Sequence, residues 1–253
     1  MRVHILPGGC AGICGFALTG FVVDRVLAID AGPLGMCGTP IEQAAIRDVL
    51  LTHSHIDHIA GLPIFLDNTY RLSPSAPTIH GIVPTLDSLQ KDLFNDRLMP
   101  DFIGMSEHMP PFLEQNPVSI DRPFRVGPYT VTALEVDHTV PTVAYIVDDG
   151  QSAIAVVTDT EPVPWVIDQL AKHPRLRAVF LESSFPKEMT AVAAITKHLT
   201  TEQFAEAARR LPAGVRVFPI HIKPKYASEV IAELQALHLP SMTILEPGTV
   251  VEI

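Results

Sequence analysis

Six consecutive residues constrain this chain more than any other feature. The run His53-Ser54-His55-Ile56-Asp57-His58 closes an apolar segment that reads as a strand over 47–52, and it brings together three imidazoles and one carboxylate. Residues two apart on an extended backbone project to the same side, so His53 and His55 can reach one metal ion. Once the chain turns, Asp57 and His58 can hold a second ion beside the first. Nitrogen and oxygen donors of this kind suit Zn2+, with Mn2+ and Fe2+ as further candidates. A single histidine here would read as a polar loop residue; four donors at this spacing read as a metal site.

Further donors stand where strands should end. His138 follows the apolar run 132–136, Asp159 follows 153–158, and His221 follows 215–220. A buried imidazole or carboxylate at the carboxyl edge of a sheet is costly unless it is paired or metal-bound, so the repeated placement favours one shared site.

Apolar runs of strand length also occur at 2–6, 17–23, 26–30, 129–136, 142–147, 152–158, 176–181 and 242–245, while 163–171, 201–211 and 227–237 carry helical spacing. Strands are therefore expected to fill the first half and to alternate with helices in the second, an α/β pattern. In the last helix Val230, Ile231, Leu234 and Leu237 form a stripe expected to lie on a sheet, with Glu229, Glu233 and Gln235 facing away. Thr200 and Gln203 have the spacing of a capping box. Segment 99–118, with four prolines and three methionines, reads as a long surface excursion. No fixed-period repeat or Gly/Ser linker interrupts the 253 residues, so one domain over 1–253 is expected.

The balance of 18 Lys+Arg against 28 Asp+Glu, a net charge of −10, disfavours an extended basic groove for long nucleic acid. Cys10, Cys14 and Cys37 are too few for a disulfide framework and are expected to pack near the glycine-rich first loop. Residues 1–6 meet Pro7-Gly8-Gly9 before any long apolar run forms. The expectation is a soluble, cytoplasmic protein without membrane contact.

Through the His-x-His-x-Asp-His run and the ordered His138, Asp159 and His221, the sequence resembles the metallo-β-lactamase superfamily of metallohydrolases. The resemblance implies the metallo-β-lactamase fold, a four-layer αββα sandwich, and two divalent ions, with Zn2+ favoured. His53, His55 and His138 would surround one ion and Asp57, His58 and His221 the other, with Asp159 bridging. Asp30, in Ala28-Ile29-Asp30-Ala31-Gly32, matches the superfamily's acidic residue after an early strand and is implied to be a support rather than a ligand.

Within the superfamily, Leu181-Glu182-Ser183-Ser184-Phe185, Lys197-His198-Leu199-Thr200 and Ile220-His221-Ile222-Lys223-Pro224 are similar to both the class II cyclic-nucleotide phosphodiesterases and RNase Z. Residues 79–90, 93–96 and 99–102, with His58-Ile59-Ala60-Gly61-Leu62, resemble the class II pattern, and no insertion offers a tRNA-binding arm. The implied activity is hydrolysis of a 3′,5′-cyclic nucleotide, cAMP or cGMP, to the 5′-monophosphate by a hydroxide held between two metals. Asp57, Glu182 and His198 form the implied catalytic set, His198 protonating the leaving ribose oxygen and Glu182 orienting it. Expected substrate contacts are Lys223, the helix start at Thr200 for phosphate, and Phe94 and Asn95 beside the base. The family also implies a homodimer. Thioester, lactone or β-lactam hydrolysis would share the metal site but has no need of Glu182 and His198 together.

Overall fold

Parallel neighbours in a sheet cannot be joined by hairpins, and that requirement shapes the first half of the chain. The computed structural model describes residues 1–9 and 17–253. Its first sheet contains β1 (Arg2–Ile5), β2 (Phe21–Val23), β3 (Leu27–Ile29), β4 (Asp48–Leu50), β5 (Thr78–Gly81) and β6 (Glu114–Pro117), with β3 to β6 mutually parallel. Helical crossovers therefore separate these strands: α1 (Pro40–Gln43), α2 (Ile56–Ile59), α3 (Leu62–Thr69), α4 (Val83–Ser88) and α5 (Phe102–Met105). The expectation of a first half made mostly of strands is corrected accordingly.

The second sheet contains β7 (Phe124–Val126), β8 (Tyr129–Val136), β9 (Thr142–Asp148), β10 (Ala153–Val157), β11 (Leu176–Glu182) and β12 (Arg216–Ile220). It is antiparallel from β7 to β10 and parallel from β10 to β12. A last strand, β13 (Val250–Glu252), returns to pair with β1, so the first sheet runs β13-β1-β2-β3-β4-β5-β6 and the second β12-β11-β10-β9-β8-β7. Every residue of β9 and β10 is buried, as expected for strands covered on both faces.

Three apolar layers hold the sheets and helices together. Phe21, Ile29, Leu50, Val131, Tyr145, Val156, Phe180 and Phe218 fill the space between the sheets. On the far side of the second sheet, α6 (Pro164–Lys172), α8 (Thr201–Arg210) and α9 (Ala227–Ala236), with the short α7 (Thr190–Thr196) between the first two in the chain, contribute Val166, Leu170, Phe204, Val230 and Leu234. On the far side of the first, Phe65, Leu66, Leu86 and Phe94 pack on Val49 and Ile79. The order helix, sheet, sheet, helix is the expected αββα sandwich. Among the described residues, no helix is long and apolar enough to cross a membrane.

Several local expectations are revised. Segment 99–118 is anchored rather than laid over the surface: Phe102 stacks on Phe112 at 4.3 Å between ring centroids, and Phe112 on Tyr70 at 4.0 Å. Residues 242–245 form no strand beyond one bridge between Met242 and Val217. Their alternating apolar side chains wrap the β12 edge, with Met242 and Ile244 packing toward the helices and Leu245 toward the inter-sheet core. Glu233 does not face away; its carboxylate accepts from Lys187 N–H and Thr201 Oγ1. Cys10 and Cys14 lie outside the described residues, whereas Cys37 is free and half-buried.

Candidate metal centre

Strands β8, β10, β11 and β12 run in the same direction, so their carboxyl ends open on one edge, and the loop after β4 meets them there. Beneath the site the two sheets are tied by the Tyr145 hydroxyl, which donates to Leu51 O at 2.9 Å. The turn carrying Asp57 and His58 is α2 itself, held by Thr19 N–H to Asp57 O and Ala31 N–H to His58 O. Gly32 is required by this close approach: a Cβ there would stand 2.1 Å from Asp57 O. Asp30, Asp159 and His221 follow the ends of β3, β10 and β12 with φ of 58°, 34° and 54°. Left-handed backbone at three non-glycine residues is strain of the kind that gathers at functional sites.

The sequence-predicted donors meet in two clusters that share one carboxylate, His53, His55, His138 and Asp159 in one, and Asp57, His58, Asp159 and His221 in the other. Asp159 Oδ2 lies 3.6 Å from His53 Nε2 and 3.7 Å from His138 Nε2, while Oδ1 lies 3.2 Å from both His58 Nε2 and His221 Nε2. His138 Nε2 is 3.2 Å from His55 Nδ1, and His221 Nε2 is 3.3 Å from Asp57 Oδ2. Ligands about 2.0–2.1 Å from a tetrahedral Zn2+ stand about 3.3 Å apart, so these spacings fit. His53 Nε2 and Asp159 Oδ1 are moreover buried without a hydrogen-bond partner. Leaving such atoms unsatisfied costs about 1–3 kcal/mol each, a cost that a bound cation would offset.

Behind each imidazole stands a group that orients it. His58 Nδ1–H donates to Asp30 Oδ2 at 2.7 Å, His53 Nδ1–H to Thr52 Oγ1 at 3.0 Å, His138 Nδ1–H to Lys197 O at 3.0 Å, and His221 Nδ1–H to Ser184 Oγ at 3.1 Å. With His58 holding a single proton, each of these four therefore presents a bare Nε2 to the cluster. His55 uses the opposite nitrogen, its Nε2 lying 3.5 Å from Thr139 Oγ1. Asp30, fully buried, also accepts from Thr52 N–H at 2.8 Å, a supporting role matching the expectation.

Burial lowers the pKa of His53, His55 and His221, and takes His138 down to about 4, which keeps these imidazoles neutral. For His58, burial acts in the same sense but is outweighed by the Asp159 and Asp30 carboxylates, which raise it well above the ordinary imidazole value. Burial would raise Asp159 and Asp57, yet the surrounding histidines hold both below the usual carboxylate range.

His198 and Glu182 complete the site. His198 Nδ1–H donates to Glu182 Oε1 at 3.1 Å, and the ring lies 5.0 Å from that of His138 and 5.2 Å from that of His221. Glu182, fully buried at the end of β11, also accepts from Thr160 N–H, Leu199 N–H and Ser184 Oγ. Lys223 reaches the second cluster, its Nζ 3.8 Å from Asp57 Oδ2 and 3.4 Å from His221 Nε2.

Three expected substrate contacts are corrected. Phe94 lies inside the core, 1% exposed and against Phe102, with no ring face left for a base. The Asn95 side chain closes a local turn, accepting from Arg97 and Leu98 N–H and donating to Lys91 O. Thr200 is buried as the N-cap of α8, in the predicted capping box with Gln203. Three of the amides there are already used, Thr200 N–H by Gln203 Oε1, Thr201 N–H by Phe185 O and Gln203 N–H by Thr200 Oγ1. Thr52, Ser184 and the Lys197 carbonyl were not anticipated. Ser184, two residues beyond Glu182 on extended chain, was within reach of the alternation rule; a backbone carbonyl leaves no trace in the sequence.

Two donor clusters sharing a carboxylate at the open edge of a two-sheet sandwich define a metallohydrolase. The chain belongs to the metallo-β-lactamase superfamily: residues 25–222 match the family model described as beta-lactamase superfamily domain. A segment of 94 residues is 33% identical to 3′,5′-cyclic-nucleotide phosphodiesterase 1 of Saccharomyces cerevisiae, and covers 37% of this chain but 25% of that protein. The crystal structure of unliganded yeast PDE1 matches with a TM-score of 0.77 at 19% identity, over 98% of both chains. Human tRNase Z, short form, matches with a TM-score of 0.71 at 18% identity, over 100% of this chain and 99% of that one. At these identities the structural likeness is one of fold.

Proposed function

We propose that the protein is a metal-dependent phosphodiesterase that hydrolyses 3′,5′-cyclic nucleotides to nucleoside 5′-monophosphates. The observation that carries this reading is the buried His198–Glu182 pair set against both donor clusters, for which ester, thioester or lactam hydrolysis has no use. Local identity to a yeast cyclic-nucleotide phosphodiesterase supports the substrate class.

Two divalent ions, Zn2+ by donor chemistry, would be held by His53, His55 and His138 and by Asp57, His58 and His221, with Asp159 between them, and would supply a hydroxide at neutral pH and positive charge at the phosphoryl oxygens. The chain's own part is positioning and proton transfer. Glu182 holds His198 by Nδ1, leaving Nε2 as the ring atom that gives a proton to the departing ribose oxygen. The Lys223 ammonium adds charge beside Asp57 for a non-bridging phosphate oxygen. Depth of burial around His198 and Asp159 keeps bulk water from competing for these contacts.

The test is a comparison of turnover of cyclic AMP and cyclic GMP with that of a thioester, a lactone and a β-lactam by zinc-loaded protein. Turnover of the cyclic nucleotides alone is the expected result; preference for any of the others overturns the reading.

A further inference from the structure

Two residues beyond the end of β11, the Ser184 side chain turns to the same side as that of Glu182. There the Ser184 hydroxyl, fully buried, meets two groups of different function. It donates to Glu182 Oε2 at 2.6 Å and receives Nδ1–H of His221 at 3.1 Å, with His221 O a further 3.0 Å neighbour. A hydroxyl has one proton and two lone pairs. The short contact to a carboxylate directs that proton to Glu182, so only a lone pair is left for the imidazole. His221 must then carry its own proton on Nδ1 and turn bare Nε2 toward Asp159 and Asp57.

We propose that Ser184 is a positioning residue that sets the tautomer of His221 and the orientation of Glu182 together, coupling metal affinity at the second cluster to the geometry of His198. The part concerning His198 rests on the phosphodiesterase reading; the part concerning His221 rests on geometry alone. The neighbouring Ser183 is an internal control, because it is equally buried and its Oγ has no hydrogen-bond partner.

The experiment strips the whole chain of metal and titrates Zn2+ against a competing chromophoric chelator for wild type, Ser184→Ala, Ser183→Ala and Ser184→Thr. Ser184→Ala is expected to weaken the second zinc by about 10–100-fold while the first binds as in wild type. Ser183→Ala should bind both zincs like wild type, and Ser184→Thr, which keeps the hydroxyl, should recover most of the loss. In zinc-saturated protein, Ser184→Ala should lower kcat for cyclic AMP with KM unchanged. Wild-type zinc affinity in Ser184→Ala, or an equal loss in Ser183→Ala, would overturn the proposal. Should wild type turn over no cyclic nucleotide, the phosphodiesterase reading falls while the zinc titration still decides the role of Ser184. If the added methyl of Thr is not accommodated, the two alanine variants decide it without that arm.

Discussion

Replacing Asp30 by Asn leaves the side-chain volume almost unchanged, yet the structure predicts a specific loss. The carboxylate faces donors on both sides: Oδ1 accepts from Thr52 N–H at 2.8 Å, and Oδ2 accepts from His58 Nδ1–H at 2.7 Å. An amide offers one acceptor and one donor end. With its oxygen kept toward Thr52, the amide NH2 confronts His58 Nδ1–H, and the ring must give up its Nδ1 proton and keep one on Nε2, the atom that faces Asp159 and His221. With the amide flipped, the clash passes to Thr52 N–H. A hydrogen bond to a charged group contributes about 1.5–3 kcal/mol, so Asp30→Asn should lower the unfolding free energy of the stripped protein by about that amount in urea titration. The misplaced proton should weaken the second zinc about 10–100-fold in a competition titration, which is about 1.4–2.8 kcal/mol. Asn tolerates the left-handed backbone at this position, so the backbone itself is no source of loss. Wild-type affinity for both zincs in Asp30→Asn would refute the argument that Asp30 sets the His58 tautomer.

His198→Ala should lower kcat by about 10²–10⁴-fold with two zincs retained by elemental analysis, and adding Glu182→Gln should cost little more, because the pair acts as a unit; full additivity in that double-mutant cycle would contradict the pairing. In stripped protein at pH 7, long-range proton–nitrogen NMR should show His58 as imidazolium and His138, with a pKa of about 4, as neutral. Zinc must then displace the His58 proton, so affinity at the second cluster should fall as pH is lowered; a neutral His58 at pH 7 would contradict this. Phe102→Ala, which removes the ring stacked on Phe112, should cost about 3–5 kcal/mol in urea unfolding, and a loss under about 1 kcal/mol would show that segment 99–118 is not anchored by it.

The gathering of the donor residues was legible because their placement follows rules that a sequence displays. His53 and His55 share a side through two-residue alternation, and His138, Asp159 and His221 each end an apolar run whose carboxyl end is the site. Helices α6, α8 and α9 matched their predicted spans within a residue or so, since each buries a regular stripe. What stayed hidden depends on partners distant in sequence. Strand β6, Glu-Gln-Asn-Pro and mostly exposed, has no strand pattern and exists because β5 offers it an edge. Conversely, 242–245 has the pattern but covers an edge instead of extending a sheet. Phe94 is an aromatic that could border a pocket or fill a core, and composition does not distinguish these; the Phe102–Phe112–Tyr70 stack beside it decides. Thr200 was correctly read as a cap, but a cap that serves its own helix leaves little for phosphate.

The deciding experiment incubates zinc-loaded protein with cyclic AMP and cyclic GMP, separates the products by chromatography, and runs Asp159→Ala alongside. Zinc-dependent release of the nucleoside 5′-monophosphate, lost in Asp159→Ala, is the expected result. No turnover of either nucleotide by protein shown to hold two zincs would contradict the phosphodiesterase reading.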